Sequence, residues 1–211
     1  MIRVVLADDH AVVRRGVRQI LGEADDIEVV AEARDYGELS ALLRDQACDV
    51  VILDISMPGK NGIEALKALR ERLPRLAVLV LSMFPEDQYA LRALKAGAAG
   101  YVSKEAAPEK LVEAIRLAAR GKKYITPEVA QALAAQLDAG ARPEKLHEVL
   151  SDREYETLRL IASGKKLSEI AEAMSLSPKT VSVYRARLLE KMKMRTNADL
   201  THYAVKHGLV D

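Results

Sequence analysis

Five polar side chains stand at or just after the ends of apolar runs in the first half of the chain. Asp8 and Asp9 follow the first run, and Asp54 follows VVIL. Ser82 ends the fourth run, and Lys104 comes shortly after the fifth. Carboxylates that lie close together repel one another, and a hard divalent ion such as Mg²⁺ relieves this repulsion through its preference for oxygen ligands. With a lysine as a second positive charge and a hydroxyl able to bond an oxyanion, the set predicts phosphoryl transfer onto Asp54.

These side chains can meet only if the apolar runs are neighbouring strands of one sheet. Runs typical of buried strands lie at 2–7, 27–31, 49–54, 77–82 and 99–102. Segments with a helical period alternate with them near 11–22, 36–46, 62–72, 87–96 and 108–120. The alternation predicts an α/β fold with a five-stranded, doubly wound parallel sheet. Ligands bind beyond the carboxyl ends of such strands, where the five polar residues are expected. The alternative, that each acid only caps a neighbouring helix, explains one acid more easily than the whole set.

The composition is that of a soluble globular protein with an ordinary domain and a smaller one. The chain has 211 residues, 49% of them hydrophobic and 30% charged. No apolar run reaches the roughly 20 residues that span a bilayer, and Asp8 and Asp9 interrupt any signal-peptide core. Cys48 is the only cysteine, which excludes an internal disulfide and a multi-cysteine metal site. We therefore expect a cytoplasmic protein.

The net charge of +1 conceals a difference between the two parts of the chain. Residues 1–120 contain 17 Lys and Arg against 19 Asp and Glu, a net charge of −2. Residues 121–211 contain 15 against 12, a net charge of +3, and within 178–195 six basic side chains stand against Glu190 alone. This basic segment is the candidate surface for a polyanion, although a charged helix face is usually only solvated.

The first 120 residues resemble the receiver domain of bacterial two-component response regulators. The resemblance rests on four motifs in the same order and spacing: LADDH, DVVILDISMPGKNG, LVLSM and GYVSK. It implies a flavodoxin-like fold in which a sensor histidine kinase phosphorylates Asp54. It also implies that Asp9 and Asp54 ligate Mg²⁺ together with the backbone carbonyl of Ser56, and that Asp8 acts through a bound water. The metal and a lysine would offset the cost of an acid at the end of a buried strand.

The same resemblance implies roles for residues around the phosphoryl group. Lys104 would pair with that group, and Ser82 and Tyr101 would form the switch couple that responds to it. On sequence alone, Tyr101 could also be an amphipathic ring half-buried at an edge strand. Pro58 and Gly59 should form the tight turn that returns the Ser56 carbonyl to the metal.

Residues 121–147 change in character and predict a linker with one short helix. ITPEVAQALAAQL has a Thr-Pro helix start and an apolar repeat, and a flexible stretch is expected around 138–147. Beyond it, helical segments are predicted at 152–163, 167–174, 178–193 and 196–207. Ser177 and Pro178 form a strong N-cap and N1 pair before the long basic helix. A short helix, a tight turn and a basic second helix are typical of a helix-turn-helix.

Residues 148–210 resemble the LuxR-type DNA-binding domain along their whole length. A receiver followed by such a domain is the arrangement of the NarL/FixJ family of transcription factors, which this chain therefore resembles. The predicted organisation is a receiver at 1–120, a linker at 121–147 and a small all-α helix-turn-helix domain of four helices at 148–211.

The helix predicted at 178–193 divides into a core face and a contact face. At 100° per residue, the core face holds Val181, Tyr184, Leu188, Leu189 and Met192. The residues predicted to bind DNA are Lys179, Thr180, Ser182, Val183, Ala186, Arg187, Lys191, Lys165 and Lys166. The phosphate contacts expected among them, which position the domain without selecting a sequence, are Lys165, Lys166, Thr180 and Lys191.

Two residues of this helix are candidates for base contacts, and a third is not. Val183 could contact a thymine methyl and Arg187 a guanine edge. Arg185 lies inside the apolar wedge of the helical wheel. We therefore expect Arg185 to form a structural ion pair, with Glu169 as the candidate partner, in preference to a base contact.

The last predicted helix, 196–207, carries more apolar surface than one small core needs. The candidate dimerisation residues are Ala198, Leu200, Thr201, Tyr203 and Ala204. The resemblance implies that LuxR-type domains pair through this helix on inverted half-sites. The alternative is that these residues all serve the core of their own domain.

Together the residues and the resemblance predict a non-enzymatic, DNA-binding transcriptional response regulator. A sensor histidine kinase would phosphorylate Asp54 in the presence of Mg²⁺. Phosphorylation would control homodimerisation and binding to double-stranded promoter DNA, with RNA polymerase as a further partner and no membrane contact. The alternatives are a phosphorylation-independent DNA-binding regulator and a phosphohydrolase with an aspartyl-phosphate intermediate, the second of which leaves residues 148–210 unexplained.

Overall fold

The computed structural model describes residues 1–57, 61–84, 86–106, 108–138 and 145–210. The chain divides into two compact units, Met1–Ala134 and Ala135–Asp211. The turn predicted at Pro58 and Gly59 lies outside the described residues, as do residues 139–144 of the stretch expected to be flexible.

The described part of the first unit contains a five-stranded parallel sheet. Its strands are β1 (Ile2–Ala7), β2 (Ile27–Ala33), β3 (Val50–Leu53), β4 (Ala77–Ser82) and β5 (Gly100–Ser103), in the order β2-β1-β3-β4-β5. All residues of β3 are buried, as expected of a central strand covered on both faces. This order makes β1, β3 and β4 neighbours, so Asp8, Asp54 and Ser82 leave the sheet side by side. The predicted fold class is confirmed, with β2 two residues longer than predicted and β5 displaced by one residue.

Helices join the strands and cover the sheet. They are α1 (Ala11–Gly22), α2 (Tyr36–Asp45), α3 (Gly62–Arg72), α4 (Glu86–Lys95) and α5 (Pro108–Ala119). The start of α3 packs closely on the loop that follows Asp54. A Cβ atom on Gly62 would come within 2.2 Å of the Ile55 Cα, so only glycine permits this approach. The Asn61 side chain caps the helix by accepting the Ile63 N–H at 2.9 Å.

Helix α6 (Pro127–Asp138) follows β5 and α5 and begins inside the first unit. Tyr124 and Val129 are 9% and 5% exposed, so residues predicted as the start of a linker are packed. The domain boundaries placed at 120 and 148 stay predictions.

The described part of the second unit is helical. It comprises a short 3-10 helix (Leu146–Val149), α7 (Asp152–Ala162), α8 (Leu167–Ala173), α9 (Pro178–Met192) and α10 (Asn197–Lys206). The Ser177 side chain accepts the Thr180 N–H at 3.1 Å, which confirms the N-cap predicted before Pro178. Buried side chains of α7 and α9, including Leu158 and Leu188, form its core. Among the described residues, no helix is both long and apolar enough to cross a membrane.

Candidate functional site

Three acids and one lysine meet beyond the carboxyl ends of β1, β3 and β5. The side chains of Asp8 and Asp54 are each 1% exposed, and that of Asp9 is 28% exposed. Lys104 Nζ lies 2.6 Å from Asp8 Oδ2 and 2.6 Å from Asp54 Oδ2. The lysine side chain is itself 5% exposed, so its charge lies between two buried carboxylates. The structure thus brings together the four charged residues that the strand ends led us to expect in one place.

Asp54 is held by the backbone as well as by Lys104. Its N–H donates to the Ala7 carbonyl at 2.8 Å and so extends the pairing of β1 with β3. Its Oδ1 accepts the Ser56 N–H at 2.8 Å. Burial raises the pKa of the Asp54 carboxyl, and the hydrogen bond and charge of Lys104 oppose that rise. Burial lowers the pKa of Lys104, but the bonds to Asp54 and Asp8 outweigh it, and the net direction is upward.

The acidic cluster offers donor atoms that suit a divalent cation. Asp8, Asp9, His10 and Asp54 each contribute an atom within 4.8 Å of the others. Asp8 Oδ2 and Asp9 Oδ1 are covered from solvent, and no backbone N–H of the described residues donates to either oxygen. Their near contacts are ionic, Lys104 Nζ at 2.6 Å and His10 Nδ1 at 2.9 Å. Covered carboxylate oxygens with spare acceptor capacity favour a hard cation, so these residues fit Mg²⁺.

Two residues of this site, His10 and Arg14, were not predicted as part of it. The His10 N–H donates to Asp8 Oδ1 at 2.7 Å. Arg14 is 9% exposed, and its Nη1 donates to the Asp8 carbonyl at 2.7 Å while its Nε donates to Glu32 Oε2 at 3.2 Å. Arg14 therefore fixes the backbone of the acidic pair. Its only sequence signal is a basic residue on the buried side of a helix.

The predicted switch residues meet at the backbone of Phe84. Ser82 is fully buried, and its Oγ accepts the Phe84 N–H at 3.2 Å. The Tyr101 hydroxyl donates to the Phe84 carbonyl at 2.7 Å, and Tyr101 is 3% exposed. The ring is therefore buried rather than half-buried at the sheet edge. Phe84, which was not predicted as a site residue, is the link between the two switch residues.

The contact face of α9 is exposed and its core face is packed. Val181, Leu188 and Met192 are at most 1% exposed, as the helical wheel predicts, whereas Tyr184 and Leu189 are half-buried. The exposed residues of the predicted contact face are Lys179, Ser182, Val183, Ala186 and Arg187. Val183, on this face, is 44% exposed. Lys165 and Lys166 are also exposed.

Two basic residues of α9 have partners within their own domain. Arg185 Nε donates to the neutral Asn197 Oδ1 at 2.6 Å, so the described partner is an amide and not Glu169, the candidate partner of the predicted ion pair. Lys191 Nζ lies 2.7 Å from Glu154 Oε2, a side chain that is 4% exposed. The Lys191 side chain is 41% exposed, and the phosphate contact predicted for it stays a prediction. The ion pair has a clear structural role. It satisfies a buried carboxylate that would otherwise be destabilising.

Helix α10 buries part of the face predicted to form a dimer. Leu200 and Ala204 are fully buried and Tyr203 is 9% exposed, because α10 packs on α7. These three side chains contribute to the core of their own domain, as the alternative expected, and their part in a dimer interface stays a prediction. Ala198 is exposed and Thr201 is half-buried. Val205, one turn further on, is 54% exposed.

Two family models together match most of the chain. The model described as "Response regulator receiver domain" matches residues 4–116. The model described as "Bacterial regulatory proteins, luxR family" matches residues 148–204. The second match accounts for the part of the chain that a phosphohydrolase would leave unexplained.

Two relatives match the chain along nearly its whole length. Response regulator UvrY of Escherichia coli (strain K12) is 39% identical over 209 residues, which cover 99% of this chain and 96% of that protein. Response regulator GacA of Pseudomonas aeruginosa is 37% identical over 211 residues, which cover 100% of this chain and 99% of that protein. Among solved structures, RcsB from Salmonella enterica serovar Typhimurium, bound to promoter rprA with the phosphomimetic BeF3−, has a TM-score of 0.69 and 30% identity. That similarity covers 96% of this chain and 97% of RcsB.

Proposed function

The chain belongs to the response regulators that join a receiver domain to a luxR-family DNA-binding domain, and from this premise we propose that Asp54 is its phosphoacceptor. Since its relatives are response regulators, the chain is a transcription regulator rather than an enzyme. The observation that carries the proposal is the position of Lys104 Nζ, 2.6 Å from both Asp54 Oδ2 and Asp8 Oδ2. A cation held there can neutralise charge that develops on a phosphoryl group.

The proposed reaction is transfer of a phosphoryl group from the phosphohistidine of a sensor histidine kinase. An Asp54 carboxylate oxygen forms the new P–O bond while the P–N bond of the kinase histidine breaks. Lys104 turns from the two carboxylates toward the phosphoryl oxygens, and Ser82 lies at the end of the adjacent strand with a hydroxyl able to bond one of them. Asp9 and Asp54, with the Ser56 carbonyl, would hold Mg²⁺, and Asp8 would act through a water. The bound ion would supply positive charge opposite the lysine.

The second unit would bind promoter DNA through the exposed face of α9. Val183 and Arg187 are proposed to contact base edges, and Lys179 to contact phosphates. Lys165 and Lys166, which lie before α8, would contact phosphates on the flank. The Thr180 hydroxyl already lies 2.8 Å from Ser177 Oγ, so its proposed phosphate contact would have to share that hydroxyl.

The protein is proposed to bind DNA as a homodimer. Ala198, Thr201 and Val205 are three or four residues apart on α10 and form one stripe on its outer side. Small residues and one exposed valine would let a symmetry mate approach, which would place two copies of α9 on inverted half-sites. Promoter binding by a transcription regulator also makes RNA polymerase a proposed partner and the cytoplasm the proposed location.

Two measurements test this function. With Mg²⁺ and a small phosphodonor, intact-mass analysis should find one added phosphoryl group on the wild type and none on Asp54→Asn. An unchanged yield in the variant would remove Asp54 as the acceptor. Operator affinity should rise on phosphorylation. Equal affinity with and without a phosphodonor, despite a modified Asp54, would favour the phosphorylation-independent regulator.

A further inference from the structure

A short segment follows the outer edge of β5. This β5-edge segment, residues 123–126, begins with Lys123, whose Nζ donates to the Ala98 carbonyl. The Tyr124 N–H then donates to the Ala99 carbonyl at 2.8 Å and forms a parallel bridge with Gly100. The segment therefore covers the backbone of an edge strand that would otherwise be unpaired.

The position of the β5-edge segment is specified by packing. Tyr124 is 9% exposed and belongs to the hydrophobic core that includes Leu79 and Ile115. A Cβ atom on Gly100 would lie 2.8 Å from the Tyr124 Cβ and 2.8 Å from its carbonyl oxygen, so glycine is needed for this approach. Burial raises the pKa of the Tyr124 hydroxyl, and the nearby carboxylates of Glu113 and Glu86 add to the rise. The segment is thus fixed on the first unit close to the start of α4.

The segment ends in a hydrogen bond that joins two helices. Thr126 Oγ1 donates to Glu86 Oε2 at 2.5 Å. Glu86 is the first residue of α4, and Thr126 directly precedes Pro127, the first residue of α6. The Thr126 carbonyl also accepts the Ala130 N–H at 2.9 Å, so Thr126 is the start of α6 in hydrogen bonding as well. The first turns of α4 and α6 are therefore tied together by one charge-assisted bond.

The start of α4 is also tied to the switch residues. Glu86 comes two residues after Phe84, whose N–H and carbonyl bond Ser82 and Tyr101. The Phe84 ring stacks on Tyr89 of α4, with ring centroids 4.9 Å apart and planes at 19°. A movement of Ser82 or Tyr101 toward a phosphoryl group would therefore displace Phe84 and, with it, the first turn of α4.

We propose that the Glu86–Thr126 hydrogen bond is a coupling element, which transmits the state of the Asp54 site from α4 to α6 and so to the DNA-binding unit that follows it in the chain. The inference rests on the proposed function, because it requires phosphorylation of Asp54 to change DNA affinity. The inference requires the free energy of this hydrogen bond to differ between the unphosphorylated protein and the phosphorylated protein, in which Phe84 would be displaced. A bond of equal strength in both states would transmit nothing.

Thr126→Val in the full-length protein is the direct test. Valine keeps the shape and β-branching of threonine and removes the hydroxyl, whereas Thr126→Ser keeps the hydroxyl. Operator affinity would be measured for each protein with and without BeF3− and Mg²⁺. We expect BeF3− to raise the affinity of wild type and Thr126→Ser by the same factor, and we expect that factor to fall about fivefold or more in Thr126→Val. Glu86→Gln, which weakens the acceptor without removing it, should give an intermediate factor.

Reciprocity supplies a second measurement that a purely structural role would not affect. If BeF3− raises affinity for operator, operator must raise affinity for BeF3− by the same factor. That increase should be present in the wild type and in Thr126→Ser and reduced in Thr126→Val. Glu86→Gln answers the question if Thr126→Val does not fold.

The outcomes separate the inference from the function on which it rests. If wild type binds operator equally with and without BeF3−, the proposed function fails. If the wild type responds and Thr126→Val responds to the same extent, the function stands and the coupling role of the hydrogen bond is overturned. The inference is also overturned if Thr126→Ser loses the response as fully as Thr126→Val, because the hydroxyl would then be irrelevant.

Discussion

Replacing Lys104 by methionine should destabilise the first unit through charge alone. Methionine has similar length and flexibility, so the main change is loss of the ammonium between Asp8 and Asp54. Both carboxylates are 1% exposed and would remain buried beside each other. Among the described residues, the other basic group beside them is His10, whose Nδ1 lies 3.5 Å from Asp8 Oδ1.

The size of the effect follows from the geometry. The facing oxygens of the acidic cluster lie within 4.8 Å of one another. With an effective dielectric constant of about 20, two unit charges at that separation repel by about 3.5 kcal/mol. Removing one partner from a buried ion pair typically costs about 3–5 kcal/mol. Because the site is at the end of the sheet and its groups can relax, we expect a loss of about 2–4 kcal/mol in the free energy of unfolding at pH 7.

Urea unfolding followed by circular dichroism measures this free energy, since the chain contains no tryptophan. Lys110→Met, at an exposed position of α5, is the matched control and should change stability by less than about 0.5 kcal/mol. Mg²⁺ should stabilise Lys104→Met more than the wild type, because the ion restores a positive charge among the acids. Adding Asp54→Asn to Lys104→Met should recover most of the loss. Equal stability of the Lys104 and Lys110 variants, or no recovery in the double variant, would refute the electrostatic reasoning.

Other predictions concern the second unit. Lys191→Met should lower its stability by about 1–2 kcal/mol at pH 7, less than for a fully buried pair because Lys191 is 41% exposed. Burial raises the pKa of Glu154, but the bonds from Lys191 and Ser151 outweigh burial, and the net direction of the pKa is downward. The stability contributed by the Lys191–Glu154 pair is therefore present above about pH 4.5 and is lost as the pH falls through the lowered pKa. Urea titrations at two pH values check this loss of stability. Lys179→Ala should weaken binding to all DNA sequences and reduce the salt slope by about 1.8, which is about 0.9 for each subunit of the proposed dimer. Arg187→Ala should alter preference at particular base pairs, as selection from random DNA would reveal. Val205→Asp should shift sedimentation of the phosphorylated protein toward monomer, and an unchanged dimer would exclude α10 from the interface.

Much of the receiver could be predicted because its signals are local. Each strand is a short apolar run and each helix has its own period of apolar residues, so element positions depend on neighbouring residues. Asp54 was recognisable because an acid at the end of a buried strand is costly unless a cation is near. The β5-edge segment could not be predicted in the same way. Its position depends on Gly100, Tyr124 and Thr126 meeting partners 24 to 40 residues away.

Residues with long polar side chains were the least predictable. Arg185 and Lys191 lie on a basic helix, and their sequence context is the same whether they contact DNA or their own domain. Their partners, Asn197 and Glu154, could not be predicted, because each brings an acceptor to the side of α9 only after the helices have packed. For Arg14, the decisive partner is the backbone carbonyl of Asp8, which carries no sequence signal.

The sequence by itself determined the order of the elements, the parallel sheet, the acids at its carboxyl edge and the basic helix with its N-cap. These follow from spacing and side-chain chemistry over a few residues. Only the tertiary structure decided that Leu200 and Ala204 face their own core while Val205 remains exposed, that the Tyr101 hydroxyl bonds Phe84, and that Thr126 joins α6 to α4. The physical reason is that an apolar or hydroxyl side chain can be satisfied by many partners, and the partner is selected by which surfaces packing brings within contact distance.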